Sequence, residues 1–336
     1  MFRKHSELDD NTSLKFKDDL VFLLCIAFLQ IGAAFYYGLR VILLSLISVI
    51  ASVITHRICE KVSHREVSFY DLEPIVLGAT FACLLPPSAS IWIAVFGAVF
   101  MQAIVILPFG GAKNCHINAV AAAFCFSAIS WSETIFLYPT PFTTLPLFSA
   151  IPSEGLATSP AGMLMLGGRP IYSIFEMFLG AVPGAIGTSS IILILASLTV
   201  FLQRRKNHLY MTLCTLVFFF VFSLIFNRTT INPFVTALYE IMSGSIAFGA
   251  VFMVPRCAMF LKDKMAKVLF SSSVGVLAVL FRFFGGFEES FCFALLLSSV
   301  LIPFFNAHSS DVSAFLRKVL KYIVFILSKK KRRTAK

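Results

Sequence analysis

Charged residues are scarce in this sequence. Asp, Glu, Lys and Arg make up 13% of its 336 residues, about half the share of an ordinary soluble domain. Hydrophobic residues make up 58%, and the mean hydropathy is +0.87. A soluble fold of this length cannot cover so much apolar surface, whereas a bilayer accommodates helices of about 20 apolar residues. The composition therefore excludes an ordinary soluble protein and predicts an all-α polytopic membrane protein.

Several signatures of chemistry are also missing. The eight cysteines form no CxxC pair, so a metal or iron–sulfur site made by this chain alone is not expected. No Rossmann fingerprint, P-loop or Ser–His–Asp arrangement is present, and binding of NADH or ATP by this chain is therefore not expected. The net charge of +11 lies in short segments between apolar runs, so membrane topology explains it better than a nucleic-acid partner.

Apolar runs mark about ten transmembrane helices. A single membrane domain, residues 20–306, follows a polar segment, 1–19, and precedes a basic tail, 307–336. Within the tail, residues 311–328 mix basic and apolar side chains, which predicts an amphipathic helix on the membrane surface. A further spanning helix is the alternative, although its charges would be costly in hydrocarbon. The ten runs are 20–38, 39–55, 74–87, 90–107, 117–130, 184–202, 209–226, 232–253, 267–281 and 290–305.

The distribution of basic residues predicts the orientation. With ten spans and a cytoplasmic N-terminus, 24 of the 28 Lys and Arg residues fall on the cytoplasmic side, and four arginines fall on the other side. Such a bias is what the positive-inside rule describes. We therefore expect both termini to be cytoplasmic and the protein to lie in the cytoplasmic membrane. The four exceptions are Arg40, Arg169, Arg228 and Arg282.

One long interval, residues 131–183, falls outside the cytoplasm in this topology. It is rich in Pro, Ser, Thr and Gly and holds few basic residues. Loops longer than about 15 residues are usually functional or disordered. The interval is therefore the first place to look for a site.

Two halves of the chain are similar to each other. Phe109–Gly110–Gly111 recurs as Phe284–Gly285–Gly286, and LGATFACLLPP (77–87) is similar to SGSIAFGAVFMVP (243–255). Five spans separate the equivalent points, so the two halves would be inverted in the membrane. The sequence predicts two inverted five-helix repeats, an arrangement that builds sites near the midplane where helices are short or broken.

The chain resembles the RnfD/NqrB family of membrane subunits, found in Rnf and Na⁺-pumping NADH:quinone redox complexes. The order and spacing of the matching stretches agree over about residues 74–306. These stretches are LPPSASIWIAVFGAVF (85–100), FGGAKNCHINAVAAAF (109–124), FLGAVPGAIGTSS (178–190), FGAVFM (248–253) and FRFFGGFEESFCFALLLSSVLIP (281–303).

The resemblance implies a flavin. Members of the family carry FMN as a phosphoester on a threonine in a motif like SGATPL, and residues 155–160 of this chain, GLATSP, stand in the same place. Thr158 is therefore the candidate attachment site, with Gly155 and Ala157 as small neighbours that let a phosphate approach the backbone. The family's upstream acidic residue has no equivalent at its usual spacing, since Glu154 stands closer to the threonine. The resemblance also implies an extracytoplasmic flavin transferase and leaves a second, non-covalent flavin open.

Other residues stand out for the chemistry of their positions. Gly110, Gly111, Asn114 and Asn118 form a candidate cofactor or cavity lining, although an asparagine before a helix also serves as a cap. For Gly285–Gly286, close helix packing is the preferred interpretation. An acidic residue in a span is expected to be functional or paired, so Glu240 is a candidate for the ion pathway, with a hydrogen bond to Ser243 or a neighbouring helix as the alternative. The pair Glu288 and Glu289 is expected to be solvated in a loop.

These observations predict the flavin-carrying membrane subunit of an ion-translocating electron transport complex. By resemblance, such a complex passes electrons between ferredoxin or a nicotinamide nucleotide and a downstream acceptor with Na⁺ or H⁺ movement, and other subunits are partners. A small-solute channel with a fold like that of urea and ammonium channels is one alternative. A scaffold subunit without flavin is the other.

Overall fold

The structure, a computed structural model, describes residues 2–64, 71–143, 145–148, 155–204, 206–229, 232–286, 288–314 and 318. Almost all regular structure in these ranges is helical. The helices are α1 (Phe2–Tyr37), α2 (Arg40–Val62), α3 (Glu73–Leu84), α4 (Ile91–Val99), α5 (Ala119–Ser130), α6 (Ser132–Ile135), α7 (Pro160–Met165), α8 (Ile174–Leu179), α9 (Ile191–Arg204), α10 (Lys206–Ile225), α11 (Pro233–Met242), α12 (Ile246–Phe248), α13 (Lys264–Gly285), α14 (Ser290–Val300) and α15 (Ile302–Ala314).

Two helices change their winding along their length. α4 continues as a π-helix over Phe100–Ile106 and a 3₁₀ turn over Leu107–Phe109, and α12 continues as a π-helix over Gly249–Met253 and a 3₁₀ helix over Pro255–Phe260. Two short strands, β1 (Tyr138–Pro139) and β2 (Leu156–Ala157), pair antiparallel.

The apolar segments match the predicted runs. In the described ranges, four helices are long and apolar enough to cross a membrane, and the number is six if each of two bent pairs is one span. The bent pairs are α11 with residues 246–260, at 67°, and α14 with α15, at 70°. Four shorter apolar helices of 10–17 residues lie at Glu73–Leu84, Ala119–Ser130, Ile191–Gln203 and Leu209–Ile225. The all-α, polytopic fold is confirmed.

Packing repeats between the two halves. In the first half α2 packs on α3 and α4, and in the second half α10 packs on α11 and α13. The first segments of the halves, α1 and α9, contact each other, as do the last, α5 and α14. Both glycine pairs follow the fourth segment of their half. This arrangement is the one that a five-helix repeat requires.

The bundle has two ends, which α13 joins. We call the end with the Gly38 and Gly286 turns the Thr158 end, because residues of the 131–183 interval contact it. The Phe142 amide donates to the Tyr36 carbonyl (2.8 Å), and the Tyr37 hydroxyl donates to the Val182 carbonyl (2.8 Å). The opposite end, with the turn at Gly110, is called the Gly110 end. α13 has 22 residues, so the ends are about 33 Å apart.

Glycines end two of the long helices. Gly38 has φ +77° and Gly286 has φ +61°, a left-handed conformation that favours glycine. No atom lies within 4 Å of a Cβ built on Gly286. The expected packing role of this residue is therefore wrong, and its function is to terminate α13.

The basic tail is described only in part. α15 covers the first residues of the tail, and its Asn306 side chain donates to the Phe260 carbonyl (2.8 Å) and accepts from the Lys262 amide (3.0 Å). These bonds fix α15 against the Gly110 end. The rest of the predicted amphipathic helix and the KKKRR run lie outside the described residues, apart from Lys318.

Candidate functional site

Thr158 lies between strand β2 and helix α7, and hydrogen bonds hold both elements. On its N-terminal side β2 pairs with β1, with Ala157 opposite Tyr138, and the Thr140 amide donates to the Gly155 carbonyl (3.1 Å). On its C-terminal side the Ser159 hydroxyl caps α7 by accepting from the Gly162 amide (3.1 Å). Thr158 itself is exposed. The chain therefore presents this threonine to the surroundings from a fixed backbone.

Small residues precede Thr158 in the chain. Gly155 has φ +90°, and no atom lies within 4 Å of a Cβ built on it. Ala157 is half-buried in the strand pair. An exposed threonine on a fixed backbone, with open space at nearby Gly155, fits the covalent attachment of a flavin phosphate.

Beneath Thr158 lies an acidic side chain from the other half of the molecule. The Ser159 hydroxyl donates to Glu288 Oε1. A Cβ built on Gly162 would lie 2.5 Å from Thr158 Cγ2 and 3.2 Å from Glu288 Oε2. Glu288 therefore contacts the segment that carries Thr158, and the expectation that it is a solvated loop charge is wrong.

The same expectation is wrong for Glu289. Its side chain is 4% exposed, and its Oε2 accepts from the amide (2.8 Å) and the hydroxyl (2.6 Å) of Ser245. Ser245 belongs to the interruption between α11 and α12, where Gly244 has φ +66°. A Cβ on Gly244 would lie 2.6 Å from Glu289 Oε1. The carboxylate thus replaces helical hydrogen-bond partners at the interruption.

Glu240 is held between two arginines. Its Oε1 accepts from Arg228 Nη2 (2.6 Å) and Nε (3.1 Å), and its Oε2 accepts from Arg282 Nη1. Glu240 is 4% exposed and Arg282 is 2% exposed. The Arg282 guanidinium also donates to the carbonyls of Glu240 (2.8 Å) and Ser243 (3.1 Å). The alternative prediction of a paired glutamate describes this geometry, and the predicted role in ion movement stays a prediction.

The environment shifts the acid–base properties of the loop residues. The pKa of the Glu288 carboxyl is raised to about 7, mainly by burial. The hydrogen bond from Ser159 and the charge of Arg282 oppose this rise, and the charge of Glu289 adds to it. Burial also raises the pKa of Glu289, against the lowering by Arg282 and by the hydrogen bonds from Ser245. Burial raises the pKa of the Tyr138 hydroxyl well above its usual value, and Glu288 and Glu289 add to this rise. Glu288 therefore changes its protonation near neutral pH.

The glycine and asparagine residues of the 109–124 stretch lie at the Gly110 end. Gly110 and Gly111 have φ +78° and +111°, and they end the α4 segment: their amides donate to the carbonyls of Leu107 (2.9 Å) and Ile106 (3.2 Å). Asn118 caps α5 by accepting from the Ala121 amide (3.0 Å), which confirms the capping alternative. Asn114 is exposed.

A small cavity opens beside this turn. Asn118 and His116 line it together with Glu73, Arg256 and Cys257. The Asn118 amide group donates to Cys257 Sγ (3.6 Å). The predicted cofactor residues therefore divide into two groups, because the group around Thr158 lies at one end of the bundle and the group within residues 110–118 lies at the other.

Two sets of residues were missed by the sequence reasoning. Ser159 and Glu288 had no local signal of partnership, since 129 residues separate them. The buried arginines did have a signal: three of the four exceptions to the charge bias, Arg40, Arg228 and Arg282, make hydrogen bonds to carbonyls inside the fold. Charges retained against the bias indicate a structural or functional requirement. Within the described ranges, no group of three His, Cys, Asp or Glu side chains is placed to hold a metal ion.

Comparison with known proteins identifies a matching family. The NQR2, RnfD, RnfE family matches residues 8–312. The chain is 26% identical to the D subunit of the Na⁺-translocating ferredoxin:NAD⁺ oxidoreductase complex of Acetobacterium woodii, over 83% of this chain and 84% of that protein. It is 24% identical to the D subunit of the proton-translocating ferredoxin:NAD⁺ oxidoreductase complex of Clostridium ljungdahlii, over 83% and 85%. It is also 24% identical to the B subunit of the Na⁺-translocating NADH-quinone reductase of Chromohalobacter salexigens, over 68% and 56%.

Proposed function

The chain belongs to the NQR2, RnfD, RnfE family, and from this premise we propose that it is the flavin-carrying membrane subunit of an ion-translocating electron transport complex. The observation that carries the proposal is Thr158, an exposed threonine on a fixed backbone in the place of the family's flavin motif. The complex would pass electrons between ferredoxin or a nicotinamide nucleotide and a downstream acceptor, with movement of Na⁺ or H⁺.

The chain's own contribution is binding and orientation. A bound FMN supplies the electron transfer chemistry. Thr158 would hold its phosphate covalently, the open backbone at Gly155 would admit the phosphate oxygens, and the strand pair β1–β2 would fix the direction in which the group projects. Ser159 ties the segment to Glu288, so the backbone that carries the flavin would be held by the second half of the bundle.

Partners and placement follow from the same proposal. Other subunits of the complex would deliver and accept electrons, and an extracytoplasmic flavin transferase would load Thr158. The charge bias of 24 to 4 supports a cytoplasmic membrane location with both termini in the cytoplasm. The Thr158 end would then face outward, where the transferase acts.

The ion-pathway role of Glu240 is restricted by geometry. Both carboxylate oxygens face guanidinium groups, so a passing cation or proton would have to displace Arg228 or Arg282 first. We therefore keep Glu240 as a proposed pathway residue only in a state where one of these pairs is open.

The test is covalent flavin fluorescence. The chain is expressed with an active flavin transferase, run on a denaturing gel and read at its band. We expect a fluorescent wild type, a dark Thr158→Ala variant and a fluorescent Thr134→Ala variant, since Thr134 is another exposed threonine of the 131–183 interval. Thr158→Ser, which keeps a hydroxyl, should regain part of the signal.

A dark wild type contradicts the proposal, provided that the transferase labels a control substrate in the same cells. Solute flux through the purified chain in vesicles would then favour the channel alternative. Normal assembly of the complex with a dark chain would favour the scaffold alternative.

A further inference from the structure

Thr158 and Glu288 share the space next to Gly162. The methyl carbon of Thr158 and Oε2 of Glu288 lie 2.5 and 3.2 Å from the same point, the Cβ position of Gly162. The two side chains are therefore no more than 5.7 Å apart, which is the sum of these distances. A side chain at residue 162 would occupy this space, so glycine is what lets the carboxylate and the threonine meet.

The two oxygens of Glu288 have different surroundings. Oε1 accepts from the Ser159 hydroxyl, whereas Oε2 is the oxygen that approaches Gly162. One staggered rotation about χ1 moves a threonine hydroxyl into the position of its methyl group, while the methyl group moves into the position of the Cβ hydrogen. This rotation turns the Thr158 hydroxyl toward the side where Oε2 lies.

We propose that Glu288 is the base that accepts the Thr158 proton when the hydroxyl is esterified with a flavin phosphate. This inference rests on the proposed function. The flavin donor is a flavin nucleotide joined through a pyrophosphate to a nucleoside monophosphate. Thr158 Oγ1 forms a bond to the phosphorus that carries the flavin, the pyrophosphate P–O bond breaks, and the nucleoside monophosphate leaves with the electron pair. The hydroxyl proton passes to Glu288 Oε2 and then to solvent, and no atom changes oxidation state.

The surroundings of Glu288 suit this task. A general base works best when its pKa lies close to the working pH, and burial raises the pKa of Glu288 to about 7. The charged and titratable groups that face it are Glu289, Arg282 and Tyr138. Glu289 cannot take the same role as readily, because its Oε2 already accepts two hydrogen bonds from Ser245.

The position of Glu288 also bears on one difference between this chain and the family motif. The chain lacks an acidic residue at the usual spacing before the threonine, and Glu154 lies outside the described residues. Glu288 brings a carboxylate to Thr158 from a turn that is 130 residues away along the chain. The tertiary structure thus supplies what the local sequence does not.

The experiment measures the rate of attachment in vitro. The chain is purified without flavin and mixed with the purified transferase and flavin adenine dinucleotide, and covalent fluorescence is followed with time. Glu288→Gln keeps an acceptor for Ser159 and the side-chain volume but cannot take a proton. We expect it to react about 10²–10⁴-fold more slowly than the wild type at pH 8, which is the usual range for loss of a general base. Glu288→Asp should recover part of the rate.

Two controls separate a base from a structural residue. Glu133→Gln, a change at an exposed glutamate of the same interval, should react at the wild-type rate. The ratio of the wild-type rate to the Glu288→Gln rate should fall as the pH drops below about 7, because Glu288 then becomes protonated in the wild type. Taking the ratio removes the pH dependence of the transferase itself.

A Glu288→Gln variant that reacts as fast as the wild type overturns this proposal alone and leaves the proposed function standing. A slow variant whose ratio to the wild type is the same at every pH also overturns it, since Glu288 would then only position the segment. A wild type that stays dark beside a labelled control substrate removes the proposed function itself.

Discussion

The helices are interrupted at two places where the backbone lacks regular helical hydrogen bonds. Different groups supply the hydrogen bonds at these two interruptions. The first, residues 85–90, follows α3, and the second, residues 243–245, separates α11 from α12. At the first, the Gly187 amide donates to the Cys83 carbonyl (2.7 Å) and the Ile186 amide donates to the Leu85 carbonyl (3.0 Å). The Arg40 side chain donates to two further carbonyls of this segment. At the second, charged side chains satisfy the backbone, through Glu289 at the Ser245 amide and Arg282 at the Ser243 carbonyl.

The two interruptions show two ways to satisfy the backbone groups of a broken helix. In hydrocarbon, backbone that leaves a helix must find protein partners. The partners named at the first interruption include no carboxyl group, whereas the Glu289 carboxylate ties the second to its own protonation. We call the second, in which a carboxylate accepts, the charged interruption, and it lies beneath Thr158. We call the first, whose acceptors are backbone carbonyls, the neutral interruption, and it lies where the two halves meet. We therefore expect the two to respond differently to substitution.

The largest expected effect is at the charged interruption. Arg282→Gln removes one partner of Glu240 and the donors to the Glu240 and Ser243 carbonyls. Breaking a buried ion pair from one side costs about 3–5 kcal/mol, so we expect a loss of this order in the free energy of unfolding, measured by thermal unfolding in detergent. Arg169→Gln, at an exposed arginine of the 131–183 interval, is the control. A loss below about 1 kcal/mol for Arg282→Gln, the usual size of a single hydrogen bond, would show that Arg228 alone holds Glu240.

At the neutral interruption we expect a steric effect. A Cβ on Gly187 would lie 2.5 Å from Cys83 Cβ and 3.2 Å from Phe248 Cε2. Gly187→Ala should therefore destabilise by about 1–3 kcal/mol, the usual cost of overpacking. Gly168→Ala is the matched control, because its new Cβ would meet only the Met163 carbonyl, at 3.5 Å. Equal unfolding temperatures for the two variants would mean that residues 183–190 move aside freely.

A buried arginine also supports the neutral interruption. Arg40, 3% exposed, donates to the carbonyls of Pro87 (3.2 Å) and Ala89 (3.2 Å). Arg40→Lys keeps the charge but cannot reproduce the planar set of donors. We expect a loss of about 1–2 kcal/mol, at roughly 1 kcal/mol per hydrogen bond. Because the acceptors are neutral, this loss should be the same at pH 6 and pH 8, and a change with pH would contradict the comparison.

A further expected effect is the pH dependence at the Thr158 end. The pKa of Glu288 is raised from 4.5 to about 7, so the folded protein binds its proton more tightly than the unfolded chain. The stability from this proton is fully present below pH 4.5 and is lost as the pH rises through about 7. Glu288→Gln lacks this loss, so its unfolding temperature should change less with pH than that of the wild type. Identical pH profiles for the two proteins would show that Glu288 is not shifted.

Much of the fold could be predicted because each apolar run acts on its own. A run of apolar residues enters hydrocarbon whatever its neighbours are, so the predicted runs correspond to helices, with ends that agree closely for α5 and less closely for α2. The repeat placed the glycine pairs 110–111 and 285–286 between apolar runs, although packing was the role expected for the second pair. Their local conformation depends on the absence of a side chain, which the sequence shows directly.

The site could be predicted only in part. Thr158 is a candidate by resemblance and stays a prediction, whereas the capping alternative for Asn118 was correct because capping depends on residues three positions apart. Glu288 and Glu289 were misjudged as solvated, since their partners Ser159 and Ser245 are 129 and 44 residues away. Nothing in the local pattern distinguishes a buried carboxylate in a turn from an exposed one.

The sequence by itself determined that this chain is an all-α membrane protein of the NQR2, RnfD, RnfE family, because apolar length, charge bias and motif order are properties of the chain alone. Only the tertiary structure decided that Glu240 lies between two arginines and that Glu288 lies beside Thr158. Electrostatic partnership depends on distance through space and on burial, and both are set when segments that are far apart in the chain pack together.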